Sequence, residues 1–163
     1  MGRYFKIINR STMQYIEPFH MPSSERFPGI LCNELVCKLV TWLVCGSTNW
    51  SYLQVRNSGF YSRKYLGAWH NHAVDIIGDY DEESLCQTVR DEYQDITTEA
   101  LAMLFENDVE LLDRFARKAT GSSDNFRTLA EIGILEHCPP AVTFHLAGQF
   151  GARWKDRYYK VCY

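Results

Sequence analysis

Five residues in one short stretch could hold a metal ion or move a proton: His70, His72, Asp75, Asp79 and Asp81. Imidazole nitrogens and carboxylate oxygens are common ligands of Zn²⁺ and Mn²⁺, and a histidine beside a carboxylate can act as a general base. If the chain is extended here, His70 and His72 fall on one side, and Asp75 faces away from Val74 and Ile76. Such a set would suit a metal-dependent hydrolase. Its spacing matches no established metal motif, and the letters His70-Asn71-His72 do not reproduce the dispersed residues of the ββα nucleases of similar name.

The same stretch has a reading without chemistry. Val74, Ile76 and Ile77 would form an inner strand, and Gly78 would let the chain leave it in a conformation other residues resist. Asp79 or Asp81 would then accept backbone amides at the start of a helix. Other nucleophiles are weaker. Ser62 lacks the Gly-x-Ser-x-Gly context of a hydrolase elbow. Gly46-Ser47-Thr48 and Gly121-Ser122-Ser123 lack the lysine and second glycine of a phosphate loop. Cys138 and His137 are adjacent, so in an extended chain they point apart. His145 lies in an apolar run and reads as a core histidine.

A second group of residues suits recognition rather than catalysis. Tyr52, Phe60, Tyr61, Arg63, Tyr65 and Trp69, with Arg56 and Lys64, combine the large aromatics and arginines that anchor protein interfaces; the alternative is an irregular loop packed on a sheet. A third group, Arg153, Lys155, Arg157 and Lys160, is interleaved with Trp154, Tyr158 and Tyr159. It could grip single-stranded nucleic acid or be the wet face of a C-terminal strand. The formal net charge of −3 argues against a nucleic-acid partner, which usually faces a basic domain. The resulting expectation is a non-enzymatic domain that binds a protein partner and needs no cofactor. A metal-dependent hydrolase comes second and a single-strand binder third.

These groups must be positioned by a small fold. Tyr4–Asn9 and Gln14–Glu17 read as a hairpin around Asn9–Thr12. Prolines and serines between 18 and 29 make a loop. Asn33 reads as the cap of a helix over Glu34–Cys45, apolar nearly all round and therefore central. Tyr52–Val55 reads as a short strand, and Phe60–Leu66 has no clear period. Helices are predicted over Glu83–Tyr93, from Asp95 or Thr97 to Ala119 with a break near Asn107, and after Asp124, with Phe126, Leu129, Ala130 and Ile132 inward. Val142–Leu146 and Trp154–Val161 read as late strands. Strands at both ends with helices between predict one α+β domain over residues 1–163: a mixed or antiparallel sheet from N-terminal, central and C-terminal strands, with several helices packed on it.

At 163 residues a single core suffices without metal or disulfide support. The six cysteines contain no Cys-x-x-Cys pair and read as free thiols. The longest apolar run, Leu35–Cys45, is interrupted by Lys38 and Thr41 and is too short to span a bilayer. Nothing near Met1 resembles an export signal, and Lys6 stands where a myristoylation motif wants a hydroxyl residue. The chain therefore reads as intracellular, not secreted, and without membrane contact.

Several of these segments together carry a resemblance. Asn9-Arg10-Ser11-Thr12-Met13-Gln14-Tyr15, Gly67-Ala68-Trp69, Ile77-Gly78-Asp79-Tyr80-Asp81-Glu82 and Asp95-Ile96-Thr97 resemble the segments of a group of eukaryotic and large-DNA-virus proteins of unassigned activity. The likeness covers roughly the first 100 residues. It departs where the group carries Trp-Ala-Gly-Asp and this chain carries Trp69-His70-Asn71-His72. It implies kinship and is compatible with a viral accessory role, without implying an activity.

Overall fold

A computed structural model describes residues 5–18, 33–46, 59–78 and 83–162. The expected strand at Tyr52–Val55, and Tyr52, Asp79 and Asp81 themselves, lie outside the described residues. Four strands form one sheet in the order β3-β1-β2-β4: β1 (Phe5–Asn9), β2 (Gln14–Ile16), β3 (Val74–Gly78) and β4 (Gln94–Asp95). β1 pairs antiparallel with β2, as the hairpin pattern predicted, placing Ile8 opposite Tyr15. On its other side β1 pairs antiparallel with β3, placing Ile8 opposite Asp75. β2 and β4 run parallel. Among the described strands β3 is thus at the edge rather than inside, and Ile76 is exposed and Asp75 half-exposed.

Strand alternation sends side chains to two different layers. Ile7 and Ile16 join the main helical core. Ile8, Tyr15 and Ile77 pack on Val89, with Leu85, Cys86 and Tyr93 beside them, so helix α3 (Glu83–Glu92) covers the second face. Lys6 is buried on that face, paired with Glu17 at 2.7 Å and lying 4.5 Å from the centre of the Tyr15 ring. Burial, then Asp95 and Glu17, push the Tyr15 hydroxyl up to about 12.

The remaining helices are α1 (Glu34–Val44), α2 (Phe60–Tyr65), α4 (Thr97–Asn107), α5 (Val109–Ala119), α6 (Ser123–Gly133), α7 (Pro140–Phe150) and α8 (Trp154–Cys162). Asn33 caps α1, its side chain accepting from the Val36 amide. The break near Asn107 is real: Asp108 ends α4 and caps α5. α6 is capped by Ser122 rather than Asp124.

The central helix is α4, not α1. Ala100 to Phe105 are six consecutive buried residues, and α4 touches α1, α2, α5, α6 and α7. A run buried on every side of a helix needs neighbours all round it, and α4 has them. α1 buries Leu35, Val36, Leu39 and Leu43 and leaves Cys37 exposed.

The sheet contains no C-terminal strand. Val142–Leu146 and Trp154–Val161 are helical instead. Pro140 is the first residue of α7, where its fixed φ favours a helix and its missing N–H costs nothing. The pairs Val142/Leu146 and Trp154/Tyr158 are spaced by four and are buried together. Aromatic and β-branched content suggested strands, and the four-residue spacing decided otherwise. The α+β class stands, with the sheet built from N-terminal and central segments. No helix among the described residues is long and apolar enough to cross a membrane.

Candidate binding surface

The stretch that looked most chemical is engaged in holding the fold. Gly67 and Trp69 donate their amides to the carbonyls of Trp42 and Leu43, at 2.9 and 2.8 Å. These carbonyls belong to the last turn of α1 and lack helical partners. Gly67 and Asn71 have φ of 66° and 61°, the left-handed turns that fold this loop tightly. Trp69 is 0 % exposed, and its indole donates to Oε1 of Gln14 at 2.9 Å. The His70 Nδ1 donates to the Val44 carbonyl at 3.2 Å, and a Cβ added at Gly46 would meet this ring at 2.8 Å.

His72 turns elsewhere. Its Nδ1 accepts from the side-chain amide of buried Asn9 at 3.0 Å, while Asn9 Oδ1 accepts the amides of Ser11 and Thr12. Asp75 pairs with Arg10 at 2.7 Å. The two imidazoles and Asp75 thus each have a separate partner. Among the described residues, no three of His, Cys, Asp and Glu converge as a metal site would require. Asn9, Gln14, Gly67 and Trp69, all within the segments that carry the resemblance, interlock the β1–β2 hairpin with the end of α1.

The predicted aromatic anchors divide sharply. Tyr61, Tyr65 and Trp69 are 3 %, 1 % and 0 % exposed, so they cannot present a surface. The reason is that Phe60–Tyr65 is a helical turn packed on α4 rather than a loop on the sheet. Tyr65 donates its hydroxyl to Glu99, and burial, then Glu99, push that hydroxyl far up. Glu106 accepts from the amides of Tyr61 and Ser62 and from the Ser62 hydroxyl, closing the open start of α2. Phe60 and Arg63 remain exposed. Phe60 stacks on His137 with ring centres 3.9 Å apart. Cys138 contacts Thr143 Oγ1 at 3.3 Å, and burial pushes its thiol up, the opposite of an activated nucleophile.

Unspent groups gather on α7 and α8. α7 contains no Asp, Glu, Lys or Arg in eleven residues. Val142 and Leu146 point inward, while Pro140, Thr143, Phe144, Ala147 and Gly148 are exposed. Phe144 is 75 % exposed, the most open large apolar side chain among the described residues. One turn further on, a Cβ added at Gly148 would meet nothing within 4 Å. A mid-helix glycine costs about 0.5–1 kcal/mol relative to alanine, and no neighbour within the described fold requires it.

On α8, Trp154 and Tyr158 are buried, and Asp156, Arg157 and Lys160, with Arg153 just before the helix, recur at the three- and four-residue spacing of one helix face. With Tyr159, 51 % exposed, they line an open concavity of about 800 Å³. Arg153 pairs with Asp156 at 2.8 Å. The Arg157 guanidinium carbon lies 4.6 Å from the Phe126 ring of α6 and 5.0 Å from the Phe150 ring of α7. α7 and α8 both rest on α6: a Cβ at Gly133 would meet Leu146 at 2.4 Å and Trp154 at 2.7 Å. α7 and α8 are also neighbours of each other, with Arg157 of α8 lying against Phe150 at the end of α7.

The sequence contained this surface but disguised it. Reading Val142–Leu146 as a strand puts Phe144 on the same face as Val142 and Leu146, and reading Trp154–Val161 as a strand puts Lys160 opposite Lys155 and Arg157. The helical period instead separates Phe144 from the buried pair and gathers Arg157 with Lys160. The chain matches no family model, no curated protein and no solved structure.

Proposed function

We propose that this is a non-enzymatic domain that works by binding a protein partner through the outer face of α7. The observation that carries this reading is Phe144, 75 % exposed on a helix without a charged residue. Soluble surfaces tolerate single apolar residues, but here Pro140, Ala147 and Gly148 extend the apolar face along the helix. Phe144 is a projecting aromatic and Gly148 an adjacent hollow, the knob-and-hole relief that lets a second helix approach closely. The anchor expected among Tyr61, Tyr65 and Trp69 is thus proposed to lie 75 to 83 residues further along the chain.

Photo-cross-linking from position 144 in native host extract tests this, with position 118, exposed on α5, as the control. The reading expects a discrete product from position 144 alone. The purified partner should then bind Phe144→Ser roughly thirtyfold more weakly than the native chain, since losing an aromatic anchor costs about 2 kcal/mol. Products identical to those of the control position, or undiminished binding by Phe144→Ser, would refute it.

A further inference from the structure

Charge is segregated in this chain. Four of its seventeen Lys and Arg and one of its twenty Asp and Glu lie between Arg153 and Lys160. That segment carries +3, and everything else carries −6. The basic groups differ in availability. Arg153 is held by Asp156. Lys155 lies over the Trp154 ring, and Arg157 and Lys160 have no ion-pair partner among the described residues. Arg157 is also held in place: two rings support its flat face, as cation–π contacts do. A supported guanidinium has already lost much of its rotamer freedom, so its N–H fork can take a carboxylate at lower entropic cost.

We infer that the α7–α8 surface receives an acidic, amphipathic protein segment, with its apolar side on Phe144 and Gly148 and its carboxylates on Arg157 and Lys160. This rests on the reading of α7 as the docking face and adds the chemistry of the partner. Charge complementarity selects an acidic occupant. The surroundings select protein over nucleic acid. Asp156 interrupts the basic face, the −6 remainder repels a long polyanion, and the uncharged α7 face offers nothing to phosphates. Tyr159 is the exposed aromatic on α8, while Tyr158 is buried; a single-strand platform stacks successive bases on several rings.

The experiment uses a labelled helical peptide of Leu and Glu, about 18 residues or five turns long, titrated with the full chain by fluorescence anisotropy. Three competitors accompany it: the same composition shuffled so that no face forms, the Leu/Lys counterpart, and oligo(dT). The amphipathic acidic peptide is expected to bind at least about tenfold more tightly than each competitor, and to weaken steeply with salt. Arg157→Glu and, separately, Lys160→Glu should each weaken it several-fold; Lys160 has no ring contact among the described residues, so its variant tests charge without disturbing the Phe126–Phe150 stack. Circular dichroism confirms that both fold. Absence of binding, equal binding of the Leu/Lys peptide, or tighter binding of oligo(dT) overturns the inference. If Phe144→Ser weakens binding while both charge reversals do nothing, the acidic partner is wrong and the α7 docking face survives. If the shuffled peptide binds equally and Phe144→Ser changes nothing, the docking face itself is wrong.

Discussion

Two regions of this molecule concentrate residues that attract attention, and they use them in opposite ways. From Gly67 to Asp75 the chain offers two histidines, an aspartate and a tryptophan, and each is committed to a neighbour: Trp69 to Gln14, His70 to Val44, His72 to Asn9, Asp75 to Arg10. From Pro140 to Lys160 the residues look less chemical, yet Phe144 projects into open space and Arg157 is supported without an acidic partner among the described residues. A reactive side chain whose hydrogen bonds are satisfied inside the fold is part of the scaffold. A bland one left uncovered is a candidate for work. Residue type alone does not separate them; the partners do.

The comparison breaks most visibly at Trp69. Replacing it with alanine empties a fully buried site and removes the bond to Gln14, so urea denaturation should register a loss of about 3–5 kcal/mol. A loss below about 1 kcal/mol would mean that the loop is not the interlock described. Asn9→Ala comes next. It removes a buried side chain that accepts the Ser11 and Thr12 amides and donates to His72, for about 1–3 kcal/mol, and an unchanged midpoint would remove Asn9 from the scaffold.

The opposite sign is expected on the other region. Gly148→Ala should stabilise the chain by about 0.5–1 kcal/mol, because the added methyl meets nothing and the helix gains rigidity. Destabilisation would reveal an intramolecular reason for that glycine and weaken the docking face. Outside both regions, Asp108 supplies an acid-sensitive reference. Burial raises its carboxyl, but Lys38, the Leu111 amide and Arg114 outweigh this and hold it below its ordinary 3.8. Its stabilisation is therefore complete above that value and disappears as pH falls through the lower, folded one. Asp108→Asn should flatten this acid limb in a series of urea midpoints against pH, and an identical limb would assign it to other carboxylates.

Much of the scaffold was readable from residues. The hairpin, the Asn33 cap, the break before Val109 and the inward face of α6 followed from turn residues, capping and periodicity. What failed did so for physical reasons. β-branched and aromatic residues in Val142–Leu146 and Trp154–Val161 imitate strands, and only the spacing of their buried pairs distinguishes a helix. α1 seemed central because of its composition, whereas centrality depends on how many helices pack around a segment, a long-range property that α4 holds. Tyr61 and Tyr65 seemed like anchors because a six-residue helix is too short to declare its period. Phe144 gives no signal in the sequence, because an exposed apolar residue is recognisable only once burial is known.

Hydroxyl-radical footprinting of the full chain, with and without the acidic amphipathic peptide, tests the central claim most directly. Phe144 and Tyr159 should be oxidised in the free chain and protected in the complex, while His70 and Ile76 should be equally reactive in both. Protection of His70 or Ile76 with Phe144 unchanged would contradict the account, because the loop and the β3 edge, rather than the α7–α8 face, would then be where this molecule meets its partner.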